Sequence, residues 1–392
     1  MFASSESNGF AIDERRGVQA DNGDHSFDLN LVTLAGRSAS ERSEKSESAI
    51  SLESRERFEQ ANNIEIRQNR GTFSYYLRNS TQELFQTKSI EKGLLDAQQK
   101  LDSMRDELKR ELEAKYKVSF AEPGETIEKQ RYTAESNQRG KAVHSRQAQY
   151  FELTGIAAAL EKVGPTALTD DKVRGVKIYF PEEKLILDLD SMATYQRDKN
   201  NRPSIYLYQN KIEYATEKDL PEHLRRLPAA DTSRPETLEG AIVHEYGHHQ
   251  LDKLGFTEKQ AKETLFNAMG WVYSEKLDEW LLRGKDQDQD GNYATYRFLS
   301  SGLFSTWDRW SVDKGPINAE GAKVPAGEHQ RLTEAQMREV AAVTPFSWYF
   351  QNPEETYAEA YRYYKLDPDS KAQLKRVSPK LYEIVDSNSK SE

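Results

Sequence analysis

The chain of 392 residues contains no cysteine and only 7 histidines. The absence of cysteine excludes disulfide bonds, thiolate catalysis and zinc sites with cysteine ligands. No apolar run approaches the roughly 20 residues needed to cross a bilayer, so we expect no membrane-spanning segment. The first residues have neither the basic start nor the apolar stretch of a secretory signal peptide.

Charge and polarity narrow the partners that the chain can have. The formal net charge is -10, which argues against a nucleic-acid partner because phosphate binding needs a basic surface. Charged residues make up 31% of the chain and hydrophobic residues 36%, as is typical of a soluble protein. The Ser-rich N-terminus suits a secretion signal for a needle-type export system, and hence an exported toxin or effector. It equally suits a plain disordered tail on a cytoplasmic protein.

The composition divides the chain into three regions. Residues 1–55 are rich in Ser, Glu and Arg and lack an apolar period, which predicts disorder. Residues 56–149 are expected to be largely helical, with an amphipathic arm at 94–112 where apolar residues recur at three- and four-residue steps. Residues 150–392 mix helical and β-rich patterns, which predicts an α+β domain with a small sheet.

Within the third region, turn signals and apolar periodicity place the elements. A turn at 200–203 separates the last two of three short strands, which are expected at 176–180, 185–189 and 205–208. One helix is expected at 235–254, and a second from the capping box at Thr257 to about residue 282. Residues 284–332 look like an irregular insertion, and further helices are expected to begin at 333 and 352.

Three of the histidines lie together, at positions 244, 248 and 249. Residues four apart share a face of an α-helix, so His244 and His248 can present ring nitrogens to one zinc ion. Glu245 lies beside this pair and can act as general base towards a water on the metal. Gly247 allows another element to approach the helix closely. The alternative is a surface helix with a chance His-Glu-x-x-His sequence, against which the apolar residues before the motif argue.

A catalytic zinc site usually has three protein ligands and one open position. The expected third ligand is Glu355, near the start of a helix that begins at Asn352 and Pro353. In a plainer alternative, Glu355 only closes a capping box with Asn352. Glu355 and Glu359 are four apart, however, and two carboxylates on one buried face need a cation or a metal. We therefore expect Glu355 to ligate zinc and Glu359 to accept a hydrogen bond from a ligating histidine.

These two motifs, His-Glu-Tyr-Gly-His at 244–248 and Glu-Thr-Tyr-Ala-Glu-Ala-Tyr-Arg at 355–362, resemble the catalytic domain of anthrax lethal factor and its relatives. The resemblance spans roughly residues 150–392 but is specific only at the motifs. It implies a zincin-like domain and a gluzincin-type zinc endopeptidase with one Zn²⁺ per chain and a protein or peptide substrate. It also implies that Glu355 is the zinc ligand and that Glu359 supports the site.

The resemblance further implies a tyrosine shortly before the glutamate ligand that stabilises the oxyanion of the tetrahedral intermediate. The position that matches by spacing is Trp348, and the adjacent Tyr349 is our candidate for this role. Tyr349 is otherwise an aromatic core residue. The separation of His248 from Glu355 is longer than in the family pattern, which indicates an insertion at 284–332.

Alternating carboxylates at Asp286, Asp288 and Asp290 suggest a Ca²⁺ loop of the EF-hand kind. Arg297 stands where such a loop has a bidentate glutamate, so a solvated acidic turn is the alternative. Besides the zinc endopeptidase, two other functions remain open. One is a structural or interaction protein with a vestigial or structural zinc site that uses the helical arm at 94–112. The other is a calcium-dependent binding module.

Overall fold

Runs of strands and runs of helices follow one another along the described chain, and the expected α+β class is confirmed. None of the helices in this part of the chain is long and apolar enough to cross a membrane. The computed structural model describes residues 52–127, 143–164, 175–181, 192–198, 200–208, 212–227, 234–254, 259–275, 278–287, 293–301, 304–311, 315–316 and 352–390. The expected disorder at 1–55 therefore falls almost wholly outside the described residues.

A helix and a three-stranded antiparallel sheet open the described chain. Arg70 and Gly71 join the first two strands with φ angles of 49° and 82°, the positive values that a tight two-residue hairpin turn requires. The expectation that 56–149 is largely helical was wrong for this part. Ile64 and Ile66 in one strand, and Tyr75 and Leu77 in the next, bury side chains at every second position, as strands do. The elements are α1 (Leu52–Asn62), β1 (Ile64–Asn69), β2 (Thr72–Leu77) and β3 (Glu83–Thr87).

The predicted amphipathic helix is confirmed as α2 (Ile90–Tyr116). Its N-cap Ser89 accepts a hydrogen bond from the backbone N–H of Lys92. The apolar stripe is buried rather than presented as a free arm, and it consists of Leu94, Ala97, Leu101, Leu112 and Tyr116. The helix therefore covers the first sheet at one end and joins the main core at the other.

The main core is built around a second, four-stranded sheet. Its strands lie in the order β4 (Ser119–Phe120), β7 (Lys177–Tyr179), β9 (Pro203–Leu207) and β8 (Ala193–Arg197). Its strands β4, β7 and β9 are parallel, and β8 is an antiparallel strand at the edge. Helix α3 (Tyr150–Val163) precedes β7 and buries Leu153, Ile156 and Leu160. Two further strands of this region, β5 (Thr126–Ile127) and β6 (Val143–His144), form a separate two-stranded sheet.

The strands expected at 176–180 and 205–208 are confirmed as β7 and β9, with bounds that differ by one or two residues. The run at 185–189 lies outside the described residues. The edge strand β8 was not expected, because its sequence Ala-Thr-Tyr-Gln-Arg has little apolar character and only Ala193 is fully buried. The turn at 200–203 therefore follows β8.

The histidine-bearing helix is confirmed as α5 (Leu238–Lys253), after the short helix α4 (Glu222–Arg225). The side chain of Thr237 caps it by accepting a hydrogen bond from the backbone N–H of Gly240, at 3.0 Å. Leu238, Ile242 and Val243 are fully buried against α3 and the sheet. The helix is thus held on the core by the apolar turn that precedes the histidines.

The chain after α5 differs most from the expectation. The helix expected from Thr257 to about residue 282 ends as α6 (Lys259–Ala268), because Gly270 (φ 96°) turns the chain into a strand. The region 284–332, expected to be irregular, contains strands up to residue 316. They belong to a five-stranded antiparallel meander, made of β10 (Trp271–Ser274), β11 (Glu279–Gln287), β12 (Tyr293–Ser301), β13 (Phe304–Ser311) and β14 (Gly315–Pro316).

Three helices complete the described chain: α7 (Pro353–Leu366), α8 (Pro368–Val377) and α9 (Pro379–Lys390). The predicted start of α7 is confirmed, with Asn352 as N-cap and Pro353 at the first helical position. The helix expected from 333 lies outside the described residues. Helices α5 and α7 run antiparallel, since Gly240 lies beside Arg362 while Gly247 lies beside Ala358.

Gly247 is the position at which α5 and α7 come closest. A Cβ atom there would lie 2.6 Å from the Cα atom and 2.8 Å from the carbonyl oxygen of Ala358. Glycine inside a helix costs about 1 kcal/mol relative to alanine, so its presence at this crossing is explained by the need for space. The expectation that Gly247 permits close approach is confirmed.

We expect Gly247→Ala to separate α5 from α7 rather than to stabilise α5. The added methyl group meets backbone atoms, which cannot rotate away, so the change should destabilise the fold by about 1–3 kcal/mol. It should also weaken metal binding, because the two helices carry the candidate ligands. Thermal unfolding and zinc affinity test both effects, and an unchanged melting temperature with unchanged affinity would contradict the close packing described above.

Candidate metal centre

Helix α5 brings its two motif histidines together as the spacing predicts. The rings of His244 and His248 have centroids 5.0 Å apart and stand edge to face, with an interplanar angle of 76°. His244 is buried and His248 is partly exposed, so the pair lies at the boundary between core and solvent. Such a position suits a metal site that a substrate must reach.

Helix α7 places Glu355 against both histidines. Its Oε2 atom lies 3.0 Å from Nε2 of His244 and 3.4 Å from Nε2 of His248. One ligand atom from each of His244, His248 and Glu355 lies within 4.8 Å of the other two. Two imidazole nitrogens and a carboxylate oxygen are a donor set that zinc and related divalent ions accept. This group can therefore hold a metal ion.

The alternative role of Glu355 as a capping residue is separate from this contact. Asn352 caps α7 with its own side chain, accepting a hydrogen bond from the backbone N–H of Glu355 at 2.9 Å. That bond uses the backbone of Glu355, while its carboxylate is turned towards the histidines. The cap thus fixes the first turn of α7 and leaves the carboxylate available as a ligand.

Glu359 lies one turn further along α7 and contacts the other nitrogen of His244. Its Oε2 atom accepts a hydrogen bond from Nδ1 of His244 at 2.8 Å, and its side chain is only 1% exposed. Burial alone would raise the pKa of Glu359, but the charge of Arg362 and the bond from His244 outweigh it, so this pKa lies below its ordinary value. The expected hydrogen bond between His244 and Glu359 is present.

Glu245 is buried beside the ligand group, between α5 and the edge strand β8. Its carboxylate accepts a hydrogen bond from the backbone N–H of Tyr195. Burial raises the pKa of Glu245 above its ordinary value, and the nearby charge of Glu355 adds to this, against the opposing effect of the two histidines. A carboxylate with a raised pKa is better suited to accept and return a proton near neutral pH.

A polar cluster of Tyr195, His249 and Asp252 lies beside His248 and was not predicted from the sequence. Tyr195 in β8 donates its hydroxyl to Asp252 at 2.6 Å and stacks its ring on His248, with centroids 6.3 Å apart. The same hydroxyl lies 3.4 Å from Nδ1 of His249, which is 3% exposed. Burial and the bond to Asp252 raise the pKa of Tyr195. The spacing of His248 and Asp252, four apart on one helix, places both on the same face and was the only sequence signal for this cluster.

Some of the predicted site residues lie outside the part of the chain that the structure describes. Tyr349, the candidate for oxyanion stabilisation, lies outside the described residues, as do Asp288 and Asp290 of the candidate calcium loop. The segment that carries Asp286 is strand rather than helix, and the described residues on both sides of the loop pair as antiparallel strands β11 and β12. The loop thus connects a hairpin, whereas an EF-hand loop connects two helices.

Comparison with known proteins adds no relative. No protein-family model, no curated protein and no solved structure matches this chain.

The electrostatics of His244 predict that metal binding releases a proton. Burial alone would lower the pKa of His244, but hydrogen bonds to Glu355 and Glu359 raise it well above the ordinary 6.5. In protein stripped of metal, His244 is then protonated at neutral pH, and a metal ligand must be neutral. The ion pair of protonated His244 stabilises the stripped protein below about pH 6.5 and loses this effect as pH rises through the raised pKa.

We therefore expect zinc affinity to rise by about tenfold per pH unit from pH 6.5 towards the raised pKa of His244, with about one proton released per ion bound. Calorimetric titration in two buffers of different protonation enthalpy measures this proton. Glu359→Gln removes one of the carboxylates that raise the pKa and should reduce the release at pH 7. Binding without proton release in the wild-type protein would contradict the assignment.

Proposed function

We propose that this protein is a zinc-dependent endopeptidase in which His244, His248 and Glu355 hold one Zn²⁺. The observation that supports this most is the convergence of two separate helices, which brings a carboxylate from α7 onto both histidines of α5. The position of Glu245, buried next to this group, distinguishes the arrangement from a metal site without a general base. A structural zinc site is normally closed by four protein ligands, whereas three are found among the described residues.

Each residue of the site has a distinct part in hydrolysis under this proposal. A zinc ion held there would polarise the scissile carbonyl and make water a stronger nucleophile. Glu245 accepts the proton of the attacking water and delivers it to the leaving amine. Glu359 holds the ring of His244 in one orientation through Nδ1. Tyr349 remains our candidate for a hydrogen bond to the developing oxyanion, on the resemblance alone.

The position of the edge strand β8 is an argument for a peptide substrate. In the described part of the chain, β8 pairs with β9 on one side only, and it lies at the end of the sheet order. The N–H of Tyr195 points to Glu245, so the free edge of β8 runs past the candidate base. An extended peptide can add to such an edge through main-chain hydrogen bonds. It would then cross the site in the middle of its length, as an endopeptidase requires.

The first test of this function is Glu245→Gln, which keeps the shape of the side chain and removes the base. We expect zinc content to stay near one ion per chain while cleavage of an unfolded protein falls by at least about a hundredfold. Metal analysis and chelator-sensitive cleavage of casein or a peptide library measure the two properties. Undiminished cleavage would rule out Glu245 as the base, and wild-type protein that binds zinc without any cleavage would favour the structural or interaction protein.

The second test separates the two roles of Glu355. Glu355→Gln keeps the Asn352 cap, because that cap uses the backbone N–H, so the start of α7 should stay intact. Without metal, the change should cost stability only through the lost ion pair with His244. Gln is a neutral and weaker donor than a carboxylate, so zinc affinity should fall by more than about a hundredfold and cleavage should be lost.

Glu354→Gln is the matched control, because it removes the same charge from the same helical turn at a residue outside the candidate ligand group. It should leave zinc affinity and cleavage unchanged. If Glu355→Gln retains zinc through dialysis and still cleaves, or if Glu354 is the sensitive residue, the assignment of the third ligand is wrong.

A further inference from the structure

Arg362 carries a charge into the interior beside the metal centre. The residue is 6% exposed, and the pKa of its guanidinium stays above the ordinary arginine value: burial alone would lower it, but the carboxylates of Glu359 and Glu236 outweigh burial. An isolated buried charge is costly, and removing one partner of a buried pair leaves the other uncompensated. The contacts of Arg362 must therefore explain why a cation is buried at this position.

The guanidinium of Arg362 joins two parts of the site region. Its Nη1 atom lies 3.3 and 3.4 Å from the two carboxylate oxygens of Glu359, one turn earlier on α7. The same atom lies 3.1 Å from Oε1 of Glu236, which precedes the cap of α5. Gly240 makes room for the group, since a Cβ there would lie 3.2 Å from Nε and from Nη2. Arg362 thus clips α7 to the start of α5 and also holds the Glu359 carboxylate.

The contact with Glu359 leads on to the metal ligand. The oxygen of Glu359 that accepts from Nδ1 of His244 is one of the two that Arg362 contacts. A continuous chain of polar contacts therefore runs from Arg362 through Glu359 to His244, with Nε2 of His244 directed at Glu355. Every member of this chain before Glu355 is at least nine-tenths buried, so water cannot replace a lost contact easily.

We infer that Arg362 is a positioning residue of the metal centre, which acts on His244 through Glu359. This inference rests on the proposed function in that it assumes a metal ion bound by His244, His248 and Glu355. Contact of one guanidinium nitrogen with both oxygens holds the charged Glu359 carboxylate in place beside His244. The fixed carboxylate in turn holds the imidazole of His244 with Nδ1 as donor and Nε2 facing the ion.

A purely structural role is the competing explanation, since the contact with Glu236 alone could tie the two helices. The two roles predict different measurements. A clip affects the free energy of unfolding, whereas a positioning residue also affects the zinc affinity of protein that is fully folded. Its effect on zinc must also depend on Glu359, through which it acts.

The experiment measures the zinc dissociation constant by competition with a chromophoric chelator, in full-length protein at a temperature where circular dichroism shows every variant folded. We expect Arg362→Met to weaken zinc binding by about tenfold, within the 10–100-fold range of partners behind a ligand. Arg362→Lys keeps the charge without the planar fork and should recover part of the loss. In a Glu359→Gln background, Arg362→Met should have little further effect.

Two control variants remove comparable interactions without touching His244. Glu236→Gln breaks the clip alone. Arg146→Met breaks another buried ion pair, in which Arg146 contacts Glu152 at 2.5 Å in the N-terminal cap of α3. Both should lower the melting temperature and leave zinc affinity within about twofold of the wild type.

The outcomes separate this inference from the proposed function. Unchanged zinc affinity in Arg362→Met and Arg362→Lys overturns the positioning role. The role is also overturned if Glu236→Gln loses as much zinc affinity as Arg362→Met, or if Arg362→Met causes the same loss in the Glu359→Gln background. These conclusions hold whether or not the protein cleaves peptides. Weakened, Glu359-dependent zinc binding in a protein that cleaves nothing supports the positioning role and counts against the peptidase. A wild-type protein that binds no zinc overturns both. Should Arg362→Met fail to fold, Arg362→Lys and the Glu359→Gln double variant decide the question.

Discussion

The close crossing of helices α5 and α7 is the constraint on which the candidate site depends. Each helix alone carries an incomplete set of donors, two histidines on α5 and a carboxylate on α7. At Gly247 the two backbones approach so closely that a single methyl group would collide with Ala358. This spacing brings Glu355 within 3.4 Å of both Nε2 atoms. A wider separation would leave two histidines that no carboxylate from α7 can reach.

The same crossing forces charges into the interior, and their arrangement explains how the fold tolerates them. Glu359 and Arg362 are buried on the face of α7 that meets α5, where either charge without the other would be costly. They compensate each other, and the remaining contacts go outward to His244 on one side and Glu236 on the other. A hydrophobic pair could stabilise the helices equally well. It could not accept a hydrogen bond from the imidazole of His244. The candidate metal centre therefore explains why a charged pair stands here.

The sequence predicted the parts of this site that depend on local periodicity and little of what depends on tertiary pairing. His244, Glu245 and His248 follow from helical spacing, and the start of α7 follows from Asn352 and Pro353. The edge strand β8 was missed because Tyr195 is a strand residue among polar neighbours, and its importance arises from contacts with α5. The strands after Gly270 were missed because apolar residues at 271–282 fit a helical period as well as a strand. The burial of Arg362 could not be predicted, since an arginine within an amphipathic helix is usually exposed.

The long separation of His248 from Glu355 along the chain does not imply a loosely held ligand. Loop closure costs little more free energy as a connection lengthens, so an insertion is tolerated where its ends are fixed. One end is fixed by Trp271, fully buried at the start of the meander, whose indole N–H donates to the hydroxyl of Thr356 at 3.2 Å. That hydroxyl in turn donates to the carbonyl oxygen of Asn352 at 2.9 Å. Glu355 lies between Asn352 and Thr356 in the sequence. The first strand of the meander therefore anchors the turn of α7 that carries the candidate third ligand.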